Sequence, residues 1–545
     1  MLTRMAIKAD HTIPPVTSPD TGSFWAPFAY PTFLVIWSAT LAGNIATAMR
    51  ELAAAWLMTE LSVSAAAVGV VKAASALPML LLALPAGALA DMVNRRTLNI
   101  SINVLMALVT AAIGLAALTG TLTPVMLIAA IFVAGIGSAL LQPTQQSLVP
   151  LLVDRAHMDQ AVALNGMGLN ISRAIGPAIA GVVVAALGVA AAFFANALGY
   201  LIVIGAFIWW KRAATPAATG ARESLPGAML AGVRFVRHAP VLKLVLLRLG
   251  AFVFVASAYW TLLPLLVRRE LAGSPGLFGA LLACIGVGTA LAAFSLPWLR
   301  RKLGSERICR LGLGATAAAL TGLAMVADPW SAGAIAVLLG AAWLATLTVA
   351  NVAAQSQLPD WMRGRGMAIY LMVFAGAMSA GSPVWGWLAD QISVRMALLA
   401  AGGVGVLFRL LSWRRPLPEV PPDLTPAMHW WPDPYVAQAI APDRGPVLVS
   451  IEYQVASVGA GEFLALLREL AQERLRNGAY QWAVYEDVTA PGRYVETFLV
   501  TSWEEHQRQY TRISHDDALR EAAVTRFHAG PAAPLVRHLV APERG

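Results

Sequence analysis

Charge is scarce in this chain. Only 13% of its 545 residues are charged, where a soluble domain carries roughly 25%. With 58% hydrophobic residues and a mean hydropathy of +0.65, the cores of a soluble protein of this length could not hide the apolar side chains present. An ordinary soluble enzyme, a disordered chain and a fibrous one are thereby excluded. Cysteine is nearly absent: Cys284 and Cys309 stand alone, so there is no disulfide framework and no CxxC metal pair. Of eight histidines, His11, His157 and His238 fall outside the long apolar runs and the other five follow them, which argues against a histidine proton relay within those runs. No G-x-x-x-x-G-K-[ST] occurs, so nucleotide-driven work has no sequence support. No long apolar run precedes Phe28, so a secretory signal peptide is not expected.

What the chain has is apolar runs of spanning length, one after another. A span needs roughly 20 apolar residues. Twelve helices are expected, at 30–58, 65–90, 97–119, 124–148, 161–186, 189–210, 244–267, 276–299, 307–327, 331–355, 366–389 and 394–413. The net charge of +9 invites a nucleic-acid reading, but its distribution argues against one. After Pro426 there are 11 Arg, no Lys and 15 acidic residues, a net of −4; the preceding chain carries +13. That excess falls between apolar runs, at Arg95, Arg96, Arg155, Lys211, Arg212, Arg300, Arg301, Lys302, Arg363 and Arg365. Basic loops mark the cytoplasmic side, which puts both termini in the cytoplasm.

The expected organisation is an N-terminal arm (1–27), a six-helix half (28–210), a central cytoplasmic loop (211–243), a second six-helix half (244–413), a Pro-rich linker (414–445) and a C-terminal unit (446–541). Gln146-Ser147 and Pro150 before Gly176-Pro177 echo Gln355-Ser356 and Pro359 before Gly381 and Pro383, as two related halves would. In the tail, Val447–Val455 alternates like a strand, and Gly461–Arg476 has helical spacing. Strands follow at 480–488 and 494–501, then a capping box at Ser502 and Glu505, a helix around 516–527 and a last strand around 534–540. This β-α-β-β-α-β order suggests a ferredoxin-like α+β domain. The fold class is therefore all-α membrane, with twelve helices in two halves, plus that domain.

Ionisable residues inside spans are expensive and mark function. Arg50 and Glu51 in span one and Lys72 in span two lie at matching depth, roughly 10–12 Å below the outer surface. An ion pair between Glu51 and Lys72 is expected, with Glu51 as the proton-coupling carboxylate. Asn44, seven positions earlier, shares the face of Glu51. Arg173, near the middle of span five, suits binding an anionic substrate group, pairing with a carboxylate, or a fixed interhelical tether. Trp260, Trp343, Tyr370 and Trp385 suit stacking on an aromatic substrate.

Two motifs carry a resemblance. Gly87-x3-Asp91-x3-Arg95-Arg96 resembles the major facilitator superfamily loop GxxxD-(R/K)-x-G-(R/K)-(R/K), with Met92 and Asn94 replacing a basic residue and a glycine. Asn170-Ile-Ser-Arg173-Ala-Ile-Gly176-Pro177-x3-Gly181 is similar to that superfamily's Gly-Pro motif of helix five, found in antiporter-type exporters. Leu84-Pro-Ala-Gly-Ala-Leu-Ala-Asp91 and Gln357-Leu-Pro-Asp-Trp-Met-Arg363 add a likeness to the enterobactin-exporter-like branch, the transmembrane secretion effectors, over roughly 28–413. The Arg-x-x-Gln-Gly motif of many antiporters is absent from span four, which has Ile131, Ala134 and Gly135, so no coupling role is carried over from that arginine. The tail resembles the antibiotic-biosynthesis monooxygenase type of dimeric α+β barrel at Trp482-Ala-Val-Tyr485, Glu496-Thr-Phe498 and Ser502-Trp503-Glu-Glu-His506. Trp482, His506 and His515 are expected to line a small apolar pocket there.

The resemblance implies an efflux transporter of the bacterial inner membrane, not an enzyme. It would be coupled to protons, move a small amphipathic siderophore or drug, need no cofactor or metal, engage no nucleic acid, and carry a dimerising or substrate-sensing tail. The alternatives are a membrane-tethered monooxygenase-like enzyme or ligand sensor, and a solute importer.

Overall fold

The computed structural model describes residues 23–210 apart from 93 and 147, residues 225–412 and 436–542, and 416, 422–427, 430, 431 and 434. The expected arm up to residue 22, and 211–224 of the central loop, lie outside the described residues.

Apolar runs become helices because a helix satisfies every backbone N–H and C=O from within, which a membrane interior requires. The first set comprises α1 (Pro31–Leu61), α2 (Ala65–Met92), α3 (Arg95–Leu118), α4 (Pro124–Gln146), α5 (Met158–Leu187) and α6 (Val189–Trp209). A shorter helix, α7 (Leu225–Arg237), occupies part of the expected central loop, and α8 (Pro240–Leu265) then starts four residues before the expected span. The next stretch, Pro275–Met325, is 51 residues long, and Gly304 divides it with a non-helical φ of 73° and ψ of 166°. We label its parts α9 (275–303) and α10 (305–325). Then come α11 (Pro329–Ser356), α12 (Arg363–Gln391) and α13 (Val394–Ser412). Starts are set by proline in the first turn at Pro31, Pro240, Pro275 and Pro329, whose missing N–H has no helical partner to lose. Side-chain caps do the same at Asn94, Ser274 and Asp328. Eleven helical stretches among the described residues are long and apolar enough to cross a membrane, with 275–325 counted as one.

Helices α1–α6 pack mainly among themselves, as do α8–α13, and the two bundles meet chiefly along α2–α12 and α5–α9. Both pairs run antiparallel: Gly69 lies against Ser382 and Ala65 against Gly386, while Gly181 lies against Gly279 and Ala185 near Gly276. Small residues let these backbones approach.

The tail forms a small four-stranded sheet with β1 (Val447–Gln454), β2 (Gln481–Glu486), β3 (Arg493–Val500) and β4 (Leu535–Val540) in the order β2-β3-β1-β4, each neighbouring pair antiparallel. Val449 pairs with Phe498, and Ile451 with Val536. Val447, Val449, Ile451 and Tyr453 alternate inward, onto a core with Phe463, Leu467 and Leu470 of α14 (Ala460–Arg476) and Trp503 of α15 (Trp503–Arg512). A further helix, α16 (His515–Thr525), precedes β4. The expected capping box at Ser502 is half made. Ser502 accepts the Glu505 N–H at 3.2 Å, but the Glu505 carboxylate turns away to Arg512 at 2.6 Å and Arg234 at 3.5 Å. The complete box is at Ser514 and Asp517. Part of the expected linker is tied down: the Ala427 N–H donates to the Ile513 carbonyl, and the Trp430 and Trp431 indoles both donate to Glu521.

Candidate functional site

The membrane site is assembled from both bundles. On the second, Trp260 of α8 packs edge-on against Trp343 of α11, with ring centroids 5.7 Å apart. Trp343 in turn meets Phe252, Tyr259 and Phe374, giving an aromatic wall contributed by α8, α11 and α12. The first bundle supplies the cation: Lys72 of α2 places its Nζ 5.4 Å from the Trp260 ring centroid. A lysine with little water around it gains from the negative face of an indole.

Lys72 therefore faces Trp260, and the expected ion pair with Glu51 does not form among the described residues. Glu51 is felt electrostatically by Arg173 of α5, although no ion pair joins the two among the described residues. Equal depth along two helices does not fix the direction a side chain takes around either axis. Glu51 is exposed on α1, whereas its neighbour Arg50 is 3% exposed, with its Nε unpaired. Asn44 is half-buried on α1. Tyr370 is buried on α12, where its hydroxyl donates to the Leu347 carbonyl at 3.4 Å, one turn along α11 from Trp343. Trp385 donates its indole N–H to the Phe254 carbonyl at 2.8 Å, tethering α12 to α8.

The helix-five motif is a packing device that reaches across the molecule. A Cβ on Gly176 would stand 2.7 Å from that of Ala48 on α1, and one on Gly181 would stand 2.8 Å from the Gly279 Cα on α9. Pro177 sits within α5 between these two contacts, and its carbonyl faces Gly279. In the gating motif, the side chain of Asp91 and the surroundings of Gly87 lie outside what the structure describes. Arg96 donates from Nε to the Phe207 carbonyl at 2.7 Å and from Nη2 to the Ile208 carbonyl at 3.0 Å, satisfying carbonyls that α6 leaves unpaired at its C-terminus. Arg95 begins α3.

Cross-bundle polar contacts gather at the end that carries the α1–α2 turn. Arg268 donates to the Thr59 hydroxyl at 3.0 Å, Arg269 donates to the Val63 carbonyl, and Trp56 of α1 stacks near Phe278 of α9. Asp390 of α12 closes on the start of α2. A second polar group is not legible in the sequence: Arg248 of α8 pairs with Glu306 of α10, which also pairs with Arg310 at 3.0 Å. Glu306 follows the basic run 300–302 and reads as loop in the sequence; only the shortness of the turn at Gly304 turns it inward.

In the tail, Trp482, His506 and His515 do not share a pocket. Trp482 is on β2 and donates to Glu496 at 2.9 Å. Glu496 also accepts from Tyr453 at 3.2 Å and pairs with the buried Arg474 at 3.4 Å, which holds Glu521 at 2.6 Å. Burial opposes the charge of Arg474, but Glu521 and Glu496 outweigh it and raise its pKa. His506 is on α15 with its ring 4.9 Å from His538 of β4, the strand at the opposite edge of the sheet from β2. Burial, and then His538, push the His506 imidazole down to about 4. His515 opens α16, in a groove beside Pro426 and Trp430. Among the described residues no cluster of His, Cys, Asp or Glu has the makings of a metal site.

Residues 22–545 match the family described as "Transmembrane secretion effector", so the match takes in the tail as well as the helices. The staphyloferrin A transporter of Staphylococcus aureus is 27% identical over 350 residues, 62% of this chain and 85% of that one. The multidrug efflux pump Tap of Mycolicibacterium fortuitum is 24% identical over 386 residues, 68% and 92% of the two chains. The enterobactin exporter EntS of Salmonella choleraesuis is 28% identical over 284 residues, 51% and 66%. Among solved structures, a bacterial homolog of the human lysosomal transporter Spinster, inward-facing and unoccupied, superposes with a TM-score of 0.58 at 14% identity, covering 71% of this chain and 97% of that one. The nucleoside transporter NupG does so with 0.54 at 12%, covering 70% and 98%. At such identities the two structures speak for the fold alone. With nearly the whole length matched, the chain belongs to the transmembrane secretion effectors, a family of multi-pass transporters of the major facilitator superfamily rather than of enzymes.

Proposed function

We propose that the chain is a twelve-span exporter that works by alternating access, driven by proton antiport, and carries a small amphipathic compound such as a siderophore or a drug out of a bacterial cytoplasm. The observation that carries this reading is the contact of Lys72 with Trp260: a cation of one bundle on the aromatic wall of the other. An aromatic wall met by Lys72, together with Arg173 and Glu51 of the first bundle as the charged groups of the pathway, suits a molecule with a ring system and an acidic group. The named cargoes of the relatives, staphyloferrin A and enterobactin, favour a siderophore, and the multidrug pump favours a drug.

Twelve spans follow from taking Gly304 as a turn. As one straight helix, 51 residues would be roughly 76 Å long, more than twice the hydrocarbon thickness of a bilayer. The reading divides the chain into halves at 28–210 and 244–413, joined by 211–243, with both termini on the side of the basic loops, in the cytoplasm. The tail, after the linker 414–445, is read as a ferredoxin-like unit over 446–541, which the strand order β2-β3-β1-β4 supports. Its sheet leaves Leu539, in one row with Leu448 and Leu499, and Tyr485, opposite Val495, exposed on the face away from the helices, and this face suits a second copy of the chain.

The test is accumulation of a panel of siderophores and dyes in deletion and overexpressing cells, with and without a proton uncoupler. Overexpression should lower accumulation, and the uncoupler should abolish the difference. Glu51→Gln should abolish gradient-driven efflux at an unchanged protein level. Uptake that rises on overexpression would overturn export, and efflux unaffected by Glu51→Gln would remove that residue from the coupling.

A further inference from the structure

One five-residue pattern occurs twice: Gly87-Ala-Leu-Ala-Asp91 near the end of α2 and Gly386-Trp-Leu-Ala-Asp390 near the end of α12. Because α2 and α12 pack antiparallel, the copies belong to opposite ends of the molecule. Many transporter folds are built from repeats of inverted topology, which set like elements at opposite ends of the molecule.

The second copy shows what the pattern does. Gly386 and Asp390 are four residues apart and so lie on one face of α12. A Cβ at Gly386 would stand 2.6 Å from the Ala65 carbonyl and 2.9 Å from the Ala66 Cα, so glycine is what lets α12 reach the first turn of α2. One turn on, Asp390 spends both carboxylate oxygens there. Oδ1 accepts the Ala65 N–H at 2.6 Å, and Oδ2 accepts the Ala66 N–H at 2.9 Å and the Ser64 hydroxyl at 2.6 Å. The first N–H groups of a helix have no partner within it, and an anion suits their positive end. Here that anion comes from the other bundle, although Ser64, the residue before α2, could have supplied a cap locally.

We propose that Asp390 is the latch of this end of the transporter, a positioning residue whose bonds to the start of α2 must break before the bundles part at the α1–α2 turn. The consequence for transport rests on the alternating-access reading; the latch itself is tested without substrate. With Cys284 and Cys309 replaced by Ser, spin labels are placed at Val63→Cys, in the α1–α2 turn, and at Ile392→Cys, just beyond α12; both sites are exposed. Pulsed electron paramagnetic resonance then reads their separation.

Asp390→Asn should raise the ratio of long to short distances by about tenfold or more, as expected when charge-assisted bonds are lost. Ser64→Asp added to Asp390→Asn returns a cap to α2 from within its own bundle. It should restore the melting temperature and leave the long distances populated. An unchanged distribution in Asp390→Asn would overturn the proposal. So would a distribution that Ser64→Asp restores together with the melting temperature, because Asp390 would then be only a helix cap. A shifted distance in a protein that exports nothing would leave the latch standing and count against the transport reading alone.

Discussion

His506 is 1% exposed, and its ring meets Trp503, Tyr510 and a second imidazole, His538. A proton there would bring charge into a nearly closed space, so the folded ring accepts one only near pH 4, against 6.5 for the free side chain. As pH falls below 6.5 the unfolded chain binds that proton while the folded tail does not. The stability this site contributes is therefore present above pH 6.5 and is lost progressively between 6.5 and 4, up to about 3 kcal/mol. Amide protection of β1 and β4 in the full chain, corrected for intrinsic exchange rates, should fall over that window, and His506→Phe should flatten the dependence. Equal losses in the two proteins would remove His506 as the cause. At this scale the sequence is informative about residue type and poor on direction. Glu51 and Lys72 are legible as charges within spans. That Lys72 meets Trp260 rather than Glu51 depends on helix rotation and on how the bundles meet, neither of which a single run of residues encodes.

Among the elements, the long helices are legible because apolar runs, first-turn prolines and basic ends mark them independently. The tail strands are legible from period-two alternation with one side buried. Where sequence and structure part, turns are tighter or more ordered than composition suggests. Residues 225–237 look like loop because they are short and basic, yet they form α7, with Phe235 1% exposed. The run 300–306 looks like a connecting loop, and the structure turns there on one residue. Gly304 adopts φ 73° with ψ 166°, a region open essentially to glycine alone. Gly304→Ala should therefore cost about 1–3 kcal/mol and lower the thermal midpoint of the purified protein. The change should also disturb the Arg248–Glu306–Arg310 group just beyond the turn. A midpoint equal to wild type would mean that the chain passes Gly304 in an ordinary conformation.

Across the whole molecule, a tail on a Pro-rich linker would be expected to hang free, and it does not. The Arg512 guanidinium lies 4.3 Å from the ring centroid of Trp361, in the connection between α11 and α12, and Arg476 lies 5.6 Å from that of Phe235 on α7. Phe235 and Trp361 pack edge-on at 5.9 Å, so the two arginines grip one aromatic pair. Arg234 pairs with Glu505 at 3.5 Å, and His238 meets Gln472 at 3.0 Å. These partners sit on α7, between α7 and α8 and between α11 and α12, so the tail is fastened beside the second bundle and should travel with it. Cation–π contacts of this kind contribute about 0.5–2 kcal/mol each. Trp361→Ala with Arg512→Ala should therefore raise hydrogen exchange in α7 and in residues 357–362 by about tenfold, leaving β1 and β3 protected as before. Loss of protection throughout the sheet would mean that the tail depends on the membrane bundle for its own fold. Unchanged exchange in α7 would mean that these aromatic contacts do not hold the tail in place.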